Sequence, residues 1–238
     1  MTPGTLYVIA TPIGNLEDIT LRALRVLREV GLVACEDTRR TRTLLTHFGI
    51  HVPVTSYFEH NKMAKGPAII KTLREGKSVA LVTDAGTPGI SDPGFLLVRE
   101  AREVGIPVVP VPGPSAVVAA LSAAGIPADS FVFDGFLPVK PGKRIHRLEA
   151  LRELQMTLVC YESPHRILAA LEAIGQVFGQ AEIVVARELT KQFEEIVRGT
   201  PEALRERFAA GTVRGEFTLV IPYTKTQQSD EGPGSATR

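Results

Sequence analysis

The sequence predicts an α/β protein of two α/β lobes, the first built around a doubly wound, mostly parallel sheet. Three observations carry this. Short β-rich apolar runs alternate with segments whose apolar residues recur at helical spacing. Ser78 to Thr83 is almost continuously apolar, as a strand covered on both faces requires. Beyond Gly113 the alternation begins again.

Thr5 to Ala10 reads as the first strand, followed by a turn at Thr11 to Asn15. In DITLRALRVLREVG, Leu21, Leu24, Leu27 and Val30 repeat at helical spacing and Gly31 stops them. Leu32 to Cys35 is the next strand, Arg39 to Phe48 a helix ended by Gly49, Val54 to Phe58 a strand, and Ala64 to Glu75 a helix ended by Gly76. Ser78 to Thr83 runs into DAGTPGISDPG, after which come helix Phe95 to Val104, strand Val108 to Val111 and the turn PGPSA. The first lobe spans residues 1–113 and the second 114–223. In the second, helix Ala116 to Ala124, strand Phe131 to Phe133, a basic loop and helix to Leu154, strand Thr157 to Tyr161, helix Pro164 to Ile174 and strand Ile183 to Ala186 follow in turn. Gln192 to Val197 and Phe217 to Ile221 read as the last strands. Ser163-Pro164 and Thr200-Pro201 each set a hydroxyl at the N-cap and proline at the first helical position. Residues 224–238, without apolar periodicity, read as a disordered tail.

The 238 residues carry 27 basic and 26 acidic side chains, a net charge of +1, so attraction to nucleic acid has to come from local patches. Cys35 and Cys160 are the only cysteines, which gives neither a disulfide framework nor a zinc-ligand pattern and fits a reducing, cytoplasmic setting. No metal site is expected. No window approaches the roughly 18 apolar residues of a membrane span.

DAGTPGISDPG, Asp84 to Gly94, starts where a buried strand ends, the edge at which open α/β sheets bind ligands. Gly86, Gly89 and Gly94 allow close approach to backbone N–H groups, while Pro88 and Pro93 stiffen the loop. The plainer reading is a chain reversal. Its spacing matches neither a P-loop nor a nicotinamide-binding fingerprint. PGPSA places Ser115 to cap a helix, with or without an anion there. CEDTRRTR brings Glu36 and Asp37 to another strand end beside Arg39, Arg40 and Arg42, either a phosphate grip or a solvated helix start. VKPGKRIHR gathers Lys140, Lys143, Arg144, His146 and Arg147, an RNA footprint or an ordinary charged face. YESPHR, ARELTK and RGEF set Tyr161, Glu162, Arg187, Glu188, Lys191 and Glu216 at strand ends, where they line a cleft or form internal salt bridges.

In order, LYVIATPIGNLEDITLRAL, CEDTR, LVTDAGTPGISDPG, VPGPSA, YESPHR, ARELTK and GEFTLVI resemble the ribosomal RNA small-subunit methyltransferase I family, within the tetrapyrrole methylase-like group. The resemblance implies two α/β lobes with the cofactor, S-adenosylmethionine, in the cleft between them, a homodimer, and methylation of a cytidine ribose 2′-hydroxyl in small-subunit ribosomal RNA or the 30S particle. Carried over by motif, Asp84, Gly86, Pro88, Gly89, Ile90 and Ser91 hold the methionine end, Asp84 accepting from its ammonium and the N–H groups near Ile90 meeting its carboxylate. Ser115, Ala116, Tyr161, Ala186, Arg187, Glu216 and Phe217 surround the adenosine. The proton of the ribose hydroxyl needs an acceptor. Glu36, Asp37, Glu162, Glu188 and Lys191 are the candidates, and Arg39, Arg40, Lys143 and Arg144 the RNA contacts. The alternative with the same fold is a methyltransferase of a small molecule such as a tetrapyrrole. A phosphoryl-transfer enzyme would need a lysine and metal ligands that the glycine loops lack.

Overall fold

The computed structural model describes residues 2–92 and 94–223; Pro93 and the tail expected at 224–238 lie outside the described residues. The chain forms two compact units, one of residues up to Ala119 together with Glu188–Glu194, the other of Ala120–Arg187 with Glu195 onward.

The first unit holds a five-stranded sheet of β1 (Leu6–Ile9), β2 (Leu32–Cys35), β3 (Val54–Ser56), β4 (Val79–Val82) and β5 (Val108–Val111), in the order β3-β2-β4-β1-β5. Every pairing is parallel. Helices α1 (Leu21–Glu29), α2 (Thr38–His47), α3 (Lys62–Arg74) and α4 (Gly94–Glu103) connect the strands, and α5 (Ala116–Ala124) follows β5. Alternation along β4 shows why its sequence is apolar throughout. Val79 and Leu81 join the core with Ile69, Leu73 and Leu97 of α3 and α4, whereas Ala80 and Val82 join Ala23, Val26, Leu27 and Leu45 of α1 and α2. Both faces are therefore covered, the doubly wound arrangement expected. After β2 the chain moves to β3, after β4 to β5 on the other side, so the neighbouring β2 and β4 send their connections apart at their carboxyl ends. That divergence opens the crevice where such sheets bind ligands.

The second unit has β6 (Phe131–Phe136), β7 (Thr157–Glu162), β8 (Ile183–Arg187), β9 (Glu195–Gly199) and β10 (Phe217–Ile221), ordered β6-β7-β10-β8-β9. The last strand inserts between β7 and β8 and runs antiparallel to both. Helices α6 (Pro141–Arg152), α7 (Ile167–Phe178) and α8 (Pro201–Ala209) pack Leu148, Leu151, Leu171, Ile174, Leu204 and Phe208 against Leu158, Cys160, Val185 and Leu219.

Two expectations shift. The strand expected at Gln192 begins instead at Glu195, because Gln192 and Phe193 form a turn closed by Glu194 N–H donating to the Lys191 carbonyl at 3.1 Å. The helix expected from Pro164 begins at Ile167, since the Ser163 carbonyl accepts from both Arg166 N–H (3.1 Å) and Ile167 N–H (3.1 Å) in a turn ahead of it. Thr200-Pro201 does start α8, with Thr200 Oγ1 accepting from Ala203 N–H at 3.3 Å. Among the described residues no helix is long and apolar enough to cross a membrane.

Candidate functional site

At the crevice of the first unit, the turns after β1 and β4 are fastened to each other. Thr11 and Gly86 exchange backbone hydrogen bonds (2.9 and 3.0 Å), and Thr11 Oγ1 donates to the Thr83 carbonyl at 3.0 Å. After β2, Asp37 caps α2 by accepting from Arg39 N–H at 2.8 Å, while its own N–H donates to Asp84 Oδ1 at 3.0 Å. Arg40 reaches Asp84 Oδ2 at 3.4 Å. Asp84 is thus held by two groups from the neighbouring turn. The Arg39 guanidinium and N–H keep Asp37 down at about 2. Glu36 is exposed yet shifted up, by partial burial first and then by the charges of Asp84 and Asp92.

The loop that follows β4 is shaped by backbone geometry. Gly86 and Gly89 take φ of 84° and 87°, and Ser91 takes 63°. Asp92, which the sequence reading passed over, organises the turn: its Oδ1 accepts from Gly89 N–H (2.5 Å) and Gly94 N–H (2.9 Å), and its Oδ2 is buried without a partner. An aspartate in a glycine-rich turn is a recognisable signal for such a closure. A Cβ on Gly94 would lie 2.8 Å from the Gly89 nitrogen, so the turn closes only with glycine there. Thr87 Oγ1 donates to the Pro114 carbonyl at 3.4 Å, bringing the loop to the turn before Ser115 and Ala116, both half-buried. The Ile90 N–H donates to the Thr87 carbonyl at 3.3 Å, and the Ile90 side chain is half-exposed.

The same unit holds Glu188–Glu194. Lys191 Nζ lies 2.8 Å from Glu188 Oε1, and Thr190 N–H donates to Glu194 Oε2 at 2.5 Å. Gly14, in the turn after β1, carries this segment on its surface: a Cβ there would meet Lys191 Cγ at 2.4 Å and Thr190 Oγ1 at 2.8 Å. Glu36, Asp37, Asp84, Glu188 and Lys191 therefore all stand on or beside the carboxyl edge of the first sheet. Gly14 was missed because a contact made across so much chain has no local pattern.

In the second unit the strand register does the gathering. Phe217 pairs with Glu162 on one side and Arg187 on the other, and Thr218 with Tyr161 and Ala186, so the ends of β7 and β8 meet the start of β10 beside Glu216. Tyr161 is ringed edge-on by Phe133 (4.8 Å) and Phe136 (5.8 Å). Arg187 pairs with Glu195 at 2.8 Å, which Arg207 also reaches at 3.1 Å. Ala186, Phe217 and Glu162 are buried. Glu162 Oε1 accepts from Ser163 N–H at 2.8 Å and faces Arg166 Nε at 3.3 Å, and burial raises its carboxyl above the ordinary value. Of the basic run, Lys143 is exposed, but Arg144 is 4% exposed and donates to the Pro138 (3.1 Å) and Val139 (3.0 Å) carbonyls.

Residues 5–205 match the family model described as Tetrapyrrole (Corrin/Porphyrin) Methylases. A Pseudomonas aeruginosa protein named ribosomal RNA small subunit methyltransferase I is 51% identical over 99% of this chain and 84% of its own length. A Bacillus subtilis protein of the same name is 45% identical over 96% and 78%. Among solved structures, cobalt precorrin-4 methyltransferase aligns with a TM-score of 0.69 at 21% identity, over 92% of this chain and 95% of that one. Diphthine synthase gives 0.70 at 17%, over 92% and 90%. At those identities the likeness is one of fold, and the fold is tetrapyrrole methylase-like.

Proposed function

Since this chain belongs to the tetrapyrrole methylase family and, within it, to the ribosomal RNA small subunit methyltransferase I family, we propose that it methylates a cytidine ribose 2′-hydroxyl of small-subunit ribosomal RNA from S-adenosylmethionine. The observation that carries the reading is the match at about half identity along nearly the whole chain to relatives of that name. The reading extends to a cytoplasmic homodimer acting on the RNA or the 30S particle.

The residues of the first unit suit the cofactor. Burial first, and then the charges of Asp84 and Asp92 against that of Arg40, push the Glu36 carboxyl up, so carboxylates gather at this edge. A ligand bearing a sulfonium and an ammonium complements them. Asp84, preset by Asp37 N–H and Arg40, takes the ammonium; Gly86, Pro88, Gly89, Ile90 and Ser91 line the methionine end, with Ser115 and Ala116 beside them and Tyr161, Ala186, Arg187, Glu216 and Phe217 assigned to the adenosine. When bound, S-adenosylmethionine supplies an electrophilic methyl carbon.

What remains for the protein is to place the hydroxyl and take its proton. Asp37, held near 2, is a weak base, and Glu162 is committed to Ser163 and Arg166. Glu36, exposed and raised, is the proton acceptor in this account. Glu188 and Lys191, paired at 2.8 Å against the turn after β1, are the remaining candidates, and Arg39, Arg40 and Lys143 meet RNA phosphates.

The test is incubation of the purified protein with methyl-labelled S-adenosylmethionine and small ribosomal subunits from a strain lacking this gene. Label on a ribose 2′-oxygen is expected. Cofactor binding with no label on subunits or free RNA would overturn the reading in favour of a small-molecule methyltransferase.

A further inference from the structure

Phe136 and Val139 stand out in the second unit. They are 54% and 70% exposed, yet the loop bearing them is pinned from beneath. Three successive carbonyls are held by buried or half-buried guanidinium groups: Leu137 by Arg166, Pro138 and Val139 by the two ends of Arg144. Leu137 itself is 1% exposed, and Glu162 anchors Arg166. The Phe136 ring leans edge-on against Tyr161 at 5.8 Å. Exposed apolar side chains on a backbone held this firmly are preorganised for contact rather than left over from packing.

The rim says what the contact is. Lys140 and Lys143 are exposed and make no ion pair among the described residues. Both sit at the start of α6, whose first turn has no acidic residue, so their charges oppose the positive end of the helix dipole. The nearest acid, Asp134, is already taken by Arg147, which donates to it from Nε at 3.0 Å. An aromatic face with uncompensated lysines beside it is the chemistry that holds single-stranded nucleic acid, by stacking on a base and pairing with phosphates.

We propose that Phe136 and Val139, flanked by Lys140 and Lys143, form a platform on which one unpaired base of the RNA stacks, with Arg144 and Arg166 as positioning residues that hold it. The proposal rests on the reading of the substrate as RNA. It is tested by equilibrium binding of a small-subunit ribosomal RNA transcript to the full-length protein across a range of salt concentrations. Phe136→Ala weakens binding by about 5- to 100-fold without changing the slope of log affinity against log salt. The double variant Lys140→Gln, Lys143→Gln lowers that slope by roughly 1 to 2. Phe136→Tyr restores affinity, and cofactor affinity is unchanged in the Lys140→Gln, Lys143→Gln double variant. Should Phe136→Ala fail to fold, Val139→Ala gives the same comparison. Unchanged transcript affinity in Phe136→Ala overturns the platform, as does a fall in sedimentation mass with unaltered affinity per protomer, which would assign the patch to a contact between copies. Wild-type protein that labels no RNA defeats the substrate reading; a Phe136→Ala protein that binds and methylates like wild type defeats the platform alone.

Discussion

The two units handle charge in opposite ways. On the edge of the first, carboxylates accept from backbone N–H groups: Asp37 from Arg39, Asp84 from Asp37, Asp92 from Gly89 and Gly94, with the exposed Arg39 and Arg40 side chains reaching the first two from outside. In the second, ionic groups are spent on the protein itself. Arg144 and Arg166 clamp a loop, Glu162 anchors Arg166, and Arg187, Glu195 and Arg207 hold one another. A charge fixed by backbone remains free to act on a ligand, whereas a charge paired through its side chain contributes stability. Substitutions in the first unit should therefore change turnover more than folding, and substitutions in the second the reverse.

Four experiments can break or sharpen that contrast. The largest effect is expected at Glu36: Glu36→Gln lowers the methyl-transfer rate by roughly 100- to 10,000-fold, with the urea unfolding midpoint nearly unchanged. Next is Arg144→Ala, which strands two carbonyls and empties a buried site, and lowers unfolding free energy by about 3 kcal/mol. Arg144→Lys does not restore it, because an ammonium cannot reach both carbonyls from one fork. Asp92→Ala frees the N–H groups of Gly89 and Gly94 and raises the KM for S-adenosylmethionine about 10-fold, since each lost hydrogen bond to a charged group is worth about 1.5–3 kcal/mol and the loop partly re-forms; Asp92→Asn recovers most of it. Thr200→Ala, which removes the α8 cap, costs about 1 kcal/mol of stability and leaves turnover alone.

Stability against pH gives a quieter test. Glu36 and Glu162 are both raised above the ordinary 4.5. The folded state then binds more protons than the unfolded one, so this contribution to stability declines as pH rises through the window just above 4.5. Urea titrations of Glu162→Gln should show a shallower decline there than wild type.

Much of this was written locally. Val79 to Val82 declares a strand buried on both faces, Thr200-Pro201 a helix start, and Leu32–Cys35, Val108–Val111 and Phe217–Ile221 begin and end as strands where their apolar runs do. Even the burial of Arg144 has a local sign, for Arg144, Leu148 and Leu151 share one face of α6. Ser163-Pro164 misled because a turn precedes the helix, and the same residues satisfy either. What local pattern does not hold is pairing across long separations: that β10 inserts antiparallel between β7 and β8, or that Gly14 supports Thr190 and Lys191. Asp92 lay between these cases, visible in the motif but given its role only by the closure of the loop.

The central claim is that the carboxyl edge of the first sheet performs the chemistry through Glu36. It is tested most directly by the single-turnover rate of methyl transfer to 30S subunits, measured against pH with saturating cofactor, for wild type and Glu36→Gln. The account predicts a wild-type rate that falls as pH drops through a carboxyl group titrating above 4.5, and a Glu36→Gln rate that is far lower and has lost that limb. A Glu36→Gln protein with the wild-type rate and the same acid limb would contradict it and move the proton to Glu188 or Lys191.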